Sequence, residues 1–198
     1  YGQPNAWGNV KDAGLDVSQN GLHDGSAGLK FVQNHDVFKP FKLNNVAHAL
    51  MLMLPGNAVV YFNGKEFGED REFPKEGRGD ALSVGAGSLI TRLVEIRKTH
   101  GRGNYVERWI DDQGIYIFER VSNAVVGLSN RGDGGFDERT VEVGFAPGTL
   151  LVELTGNADD PLVDPFNDIS EVLTVFEGGD GKSYVTIRVP RNLNANGL

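Results

Sequence analysis

The sequence predicts an α/β segment with parallel strands over residues 1–101, then an all-β one, an antiparallel sandwich or barrel, over residues 102–198. Three observations carry this. Before residue 101, apolar stretches with helical spacing alternate with β-branched runs. Beyond Gly101-Arg102-Gly103 the helical period disappears. About seven short apolar or alternating runs follow in under 100 residues, separated by turns rich in Gly, Asn and Asp.

The elements follow in order. Leu29-Lys30-Phe31-Val32-Gln33 is a short apolar run between glycines and a polar cluster, and it predicts a buried strand. Asn44 or Asn45 caps a helix through Val46, Leu50 and Leu54 that Pro55-Gly56 ends. Ala58-Val59-Val60-Tyr61-Phe62 is β-branched and aromatic, hence the next strand. Asn63 to Asp80 is polar and Gly-rich, longer than most connections, and therefore a candidate functional loop. Leu89, Leu93 and Ile96 share one helical face, with Arg97 and Lys98 in the last turn. Strand–helix–strand–helix order implies parallel strands. If the segment belongs to a (β/α)8 barrel, which takes about 250 residues, roughly 100 residues leave room for its last two or three units. Past the boundary, the predicted strands centre on 109–110, 114–118, 124–128, 140–143, 150–154, 172–175 and 184–189.

Composition narrows the function. The 198 residues carry 19 Lys+Arg against 27 Asp+Glu, a net charge of −8, without the basic runs that a phosphate backbone requires, so nucleic acid is not an expected partner. Zero cysteines exclude disulfides, thiolate metal sites and a cysteine nucleophile. The longest apolar stretch, Val46 to Pro55, is about half of the ~20 residues a spanning helix needs, so no membrane partner is expected either. The compartment stays open. The chain starts at Tyr1 without an initiator Met and stops soon after a strand-like run, which leads us to expect a partial sequence.

Phe31-Val32-Gln33-Asn34-His35-Asp36 is the sharpest constellation, because three polar side chains directly follow an apolar strand. The carboxyl ends of barrel strands are where such folds build active sites. A carboxylate there stabilises positive charge developing on a sugar ring, while an imidazole and an amide bond hydroxyls. The alternative is a capped turn, since Asn and Asp are common turn formers.

This hexapeptide resembles the Phe-x-x-Asn-His-Asp segment after barrel strand seven of the α-amylase family, glycoside hydrolase family 13. Asn45 to Gly56 is similar to that family's seventh barrel helix with its closing Pro-Gly. Asn57 to Gly68 resembles its strand-eight motif, with Asn57-Ala58 in place of the usual small residue and proline, and one extra residue between Tyr61 and Glu66. The resemblance covers nearly the whole chain, since a helix and a β domain follow in the family as well, and it implies that residues 1–101 are the C-terminal portion of a (β/α)8 TIM barrel, about units 6 to 8, with an antiparallel β-sandwich domain over residues 102–198.

The resemblance implies a retaining glycoside hydrolase acting on α-glucans such as starch, glycogen or maltooligosaccharides. Asp36 would be the carboxylate that stabilises the transition state, His35 would bond sugar hydroxyls, Asn34 would hold the turn beside the substrate, and Glu66 would organise a loop. A transglycosylase or isomerase of the same family, such as a branching enzyme or a trehalose synthase, would use the same turn. A non-catalytic carbohydrate-binding module over residues 102–198 is a further reading, favoured if aromatic rings lie exposed on one sheet face. Retention needs a nucleophile and an acid/base carboxylate about 5–5.5 Å apart, and neither of the family's motifs for them occurs here. No cofactor is expected in these residues; the family's calcium site belongs to a part this chain lacks.

Weaker signals point to structure instead. Tyr1 and Trp7 are candidate sugar-stacking residues, with packing the commoner role of such rings. Gly178-Gly179-Asp180-Gly181-Lys182-Ser183 ends like a phosphate loop but opens a strand, which predicts a hairpin turn. Asp159, Asp160, Asp164 and Asp168 lack calcium-loop spacing and predict a solvated turn. Arg78-Gly79-Asp80 and Arg131-Gly132-Asp133 sit in turn-like sequence. His48 falls inside an apolar helix, as a hydrogen-bonded core or interface residue.

Overall fold

The computed structural model describes residue 7 and residues 29–32, 44–60, 89–111 and 114–191. Strand β1 (Leu29–Lys30), helix α1 (Asn44–Met53) and strand β2 (Asn57–Ala58) come first, with Leu29 paired to Asn57 and Lys30 to Ala58 in parallel. A parallel pair joined through a helix is a βαβ unit, as the alternation of runs predicted. The described residues contain one such unit, and one unit does not close a barrel. Both strands are shorter than the sequence suggested. The expected residues Tyr61 and Phe62 lie outside the described ones.

Helix α1 buries nearly its whole circumference: Val46, His48, Ala49, Leu50, Met51, Leu52 and Met53 are all buried. A helix apolar on every side is a central one. Helix α2 (Leu89–His100) packs beside it through Ile90 and Leu93, and sends Arg97, Lys98 and His100 into its last turn. Gly101 follows tightly, since a Cβ there would sit 2.6 Å from the Arg97 carbonyl oxygen.

The rest is antiparallel. Strands β3 (Tyr105–Ile110), β4 (Ile115–Arg120) and β5 (Ala124–Ser129) form one sheet in that order. Strands β6 (Phe136–Glu142), β10 (Ser183–Pro190) and β9 (Phe176–Glu177) form a second sheet, and β7 (Leu150–Val152) pairs with β8 (Val172–Thr174) in a ribbon. Every predicted run beyond residue 102 thus overlaps an observed strand, because short apolar alternation bounded by turns leaves the backbone few other ways to bury one face.

Strand β4 is buried along its entire length, and its two faces serve different cores. Tyr116 and Phe118 join Leu128, Trp7 and the helices in one cluster. Ile115 and Ile117 join Val141, Val143, Val175, Val185 and Val189 between the two sheets in another. The layers are therefore helices, sheet, sheet. Gly127 on β5 admits the closest approach of the sheets, since a Cβ there would meet Val189 Cγ2 at 2.5 Å and Ile187 Cδ1 at 3.2 Å.

Candidate functional site

Residues Asn34, His35, Asp36 and Glu66 lie outside the described residues, as do Tyr1 and Arg78-Gly79-Asp80. What the structure describes is the scaffold they leave from. The chain exits β1 through Phe31, which is about half exposed, and Val32, which packs on the helix cluster. The backbone is held there by Val59 N–H donating to the Lys30 carbonyl at 2.9 Å. The Asn-His-Asp segment thus begins four positions beyond Lys30, the last residue of a strand whose parallel register is set.

Three cations gather at the opposite end of the unit, around the turn Pro55-Gly56. The last carbonyls of a helix have no partner within it. Arg97 supplies one from α2: its guanidinium donates to the carbonyls of Leu52 at 2.8 Å, Leu54 at 2.9 Å and Gly56 at 2.8 Å. Arg120 of β4 donates to Met53 O at 3.3 Å, and the Lys30 ammonium donates to the Pro55 carbonyl. Burial pulls the Arg97 guanidinium below its usual pKa range; Arg120 is lowered by burial first and by repulsion from Arg97 second. Both remain protonated, because a guanidinium does not lose its proton in a protein. The negative end of the helix dipole offsets their mutual repulsion. Gly56 turns the chain with φ of 97°, in the left-handed region that favours glycine.

A second charged knot ties the first sheet to the second. The register of β3 on β4 shifts between Glu107 and Trp109, a bulge that re-aims Arg108. Its guanidinium donates to Glu119 Oε2, by Nε at 2.9 Å and by Nη2 at 2.5 Å. Glu119 is fully buried, and its oxygens also accept the Gly144 N–H at 3.0 Å and the Ser122 N–H at 3.3 Å. A buried carboxylate is tolerable only when bonded this fully.

The outward face of the second sheet is where aromatic rings emerge. Since Val185, Ile187 and Val189 point inward, Tyr184, Thr186 and Arg188 point outward. Tyr184 lies level with Glu142 on one side and Phe176 on the other. The Phe176 and Tyr184 rings form an offset stack, with centroids 6.2 Å apart and planes 29° from parallel. Tyr184 Oη donates to Asp180 Oδ2 at 2.8 Å, and Lys182 Nζ donates to Glu142 at 2.6 Å. Trp109 is also exposed, with the Arg139 guanidinium 5.0 Å from its ring centroid.

Several sequence expectations meet the structure here. Trp7 is 6 % exposed, with its ring 5.6 Å from that of Tyr116, so it packs in the core and does not offer a face to sugar. His48 is fully buried, as its place in an apolar helix predicted. Residues 178–183 form the β9–β10 hairpin, with Gly178 N–H on the Lys182 carbonyl at 2.7 Å. In the acidic cluster, Asp164 accepts the backbone N–H groups of Asp168 and Ile169 at 2.8 and 2.7 Å, and Asp160 accepts that of Leu162 at 2.9 Å, the bonds of a turn. Arg131 and Asp133 pair with each other at 2.7 Å. Among the described residues, no group of three or more His, Cys, Asp or Glu could hold a metal, and no helix is long and apolar enough to cross a membrane.

A cleft of about 740 Å³ opens between the helices, the edge strand β5 and strands β7 and β10, lined by Met53, Leu93, Val126, Leu151 and Val189 among others. It borders neither β1 nor β2, and its walls are mainly aliphatic, a poor surface for a polyhydroxylated ligand. Two features escaped the sequence reading. The Arg97 and Arg120 collar has no local signature, since both side chains act on a helix distant in sequence. The Phe176–Tyr184 stack did have one: two aromatics placed symmetrically about a Gly-rich hairpin become cross-strand neighbours. Compared with protein-family models and with curated proteins, the chain finds no match in either.

Proposed function

We propose that this chain is the C-terminal part of an α-amylase-type retaining glycoside hydrolase acting on α-glucans, with residues 1–101 belonging to the last units of its barrel and residues 102–198 to its C-terminal β domain. The observation that carries the reading is the parallel pairing of β1 with β2 around a buried helix, with the sequence Asn34-His35-Asp36 beginning four positions after the end of β1. That arrangement is what a carboxylate at the rim of a parallel barrel requires. The antiparallel sheets that follow in sequence agree with it.

In this reading Asp36 stabilises the oxocarbenium-like transition state by its charge, and binds it more strongly than the neutral ground state. His35 and Asn34 donate hydrogen bonds to the hydroxyls of the same sugar. The nucleophile and the acid/base come from polypeptide outside these 198 residues, so the chain alone does not hydrolyse glycosidic bonds.

The test is reducing-end release from soluble starch. The 198-residue chain should give no rate above a blank. An extended polypeptide that includes the residues encoded upstream of Tyr1 should be active, and Asp36→Asn in it should lower kcat by about three orders of magnitude, about 4 kcal/mol of transition-state stabilisation. An active Asp36→Asn enzyme, or starch hydrolysis by the chain alone, would overturn the proposal. Product analysis of the same enzyme separates hydrolysis from glycosyl transfer or isomerisation.

A further inference from the structure

We infer that the outward face of the second sheet, at Phe176, Tyr184 and Asp180, is a binding platform for the pyranose rings of a neutral glucan, separate from the Asn34-His35-Asp36 segment. Its ligand class rests on the reading above; its existence as a site rests on the geometry that follows.

Phe176 is 44 % exposed on the short edge strand β9, although a ring of that size is ordinarily withdrawn from water. It does not dangle. Tyr184 backs it from the neighbouring strand, and Tyr184 is itself fixed by its hydrogen bond to Asp180. The backbone accommodates this: a Cβ at Gly178 would strike the Tyr184 ring at 2.5 Å, so glycine is what lets the ring lie over the hairpin. A Cβ at Gly179 or Gly181 would meet nothing within 4 Å, so these two positions of the hairpin stand clear of their neighbours. An aromatic ring held in place before binding loses little entropy when a ligand arrives.

The chemistry around the rings selects the ligand. One face of a pyranose presents C–H groups of slight positive charge, which suit the electron-rich face of an aromatic ring. The hydroxyls at the ring's edge need acceptors and donors beside the platform, and Asp180, Glu142 and Lys182 supply them. Glu142 is shared by Lys182 and Arg108, Asp180 faces Tyr184, and the net charge of −8 on the chain disfavours anionic ligands such as nucleic acid or acidic polysaccharide. A neutral polyol remains.

Titrating the full 198-residue chain with maltoheptaose and with cellohexaose by calorimetry tests this. At least one should bind, and Phe176→Leu, which keeps apolar volume but removes the ring, should weaken that binding about tenfold or more. Phe176→Ala should weaken it at least as much, while Phe166→Ala, an exposed ring elsewhere, should leave it unchanged; circular dichroism checks that each variant folds. Preference for maltoheptaose supports an α-glucan, and preference for cellohexaose supports the platform while counting against the α-glucan reading. Binding that survives Phe176→Leu overturns the inference. So does a lack of binding by the unaltered chain, or self-association that Phe176→Leu abolishes without any saccharide binding. Starch hydrolysis by the extended enzyme does not depend on Phe176, so the two proposals fail separately.

Discussion

Glu119 and Arg108 show how much one buried pair is asked to do. The carboxylate is fully buried and is satisfied by a guanidinium and two backbone N–H groups, which join β3, β4 and the start of the β6–β7 connection. Removing one partner strands the other. Arg108→Ala should therefore lower stability by about 3–5 kcal/mol, read from urea unfolding, whereas a nearly unchanged midpoint would mean that water replaces the arginine. At the platform, the phenol of Tyr184 holds the Asp180 carboxyl below its ordinary range, and Asp180 in turn raises the Tyr184 phenol. The depressed carboxylate contributes above its ordinary pKa and loses that contribution as pH falls through the lowered value. The raised phenol contributes below its ordinary pKa and loses it as pH climbs through the raised one. The hydrogen bond is thus intact across the neutral range. Tyr184→Phe should return the Asp180 titration, followed by NMR, towards the ordinary range. Neither pair was legible as a pair in the sequence, because Arg108 reaches Glu119 only through a bulge that no local pattern announces.

At the scale of elements, the helices and strands were the most legible part. Pro55-Gly56 stopped α1 where expected, and the basic last turn of α2 ended at Gly101. Their mutual placement was not legible, because it depends on Arg97 and Arg120 reaching carbonyls more than forty residues away in sequence. Arg97→Met leaves the Leu52, Leu54 and Gly56 carbonyls without that donor, and should cost about 2–3 kcal/mol in a denaturant melt. Arg97→Lys should recover less than half of this, since a single ammonium does not span three carbonyls as a planar guanidinium does. Full recovery by lysine would show that charge at the helix end, and not the fork geometry, is what matters.

At the scale of the whole molecule, the boundary near residue 101 read from the sequence marks a change of secondary structure across which the core continues. Tyr116, Phe118 and Leu128 bury themselves against the helices that precede the boundary. Burying each such side chain is worth about 1.5–3 kcal/mol, so the sheets alone would expose a costly surface. A protein consisting of residues 102–198 should melt at lower temperature than the full chain and bind the dye ANS; equal stability with no dye binding would show that the sheets do not need the helices.

The sequence by itself determined where the helices and most of the strands lie, where α1 and α2 stop, and that a polar Asn-His-Asp triplet follows a strand. These depend on periodicity and on the backbone preferences of Asn, Gly and Pro, which act within a few residues. Only the tertiary structure decided the register in which β1 and β2 pair, that Trp7 belongs to the core, and that Phe176 and Tyr184 share one outward face. Those outcomes depend on which apolar surfaces meet across the chain, and burial is a property of the assembled layers that no local window contains.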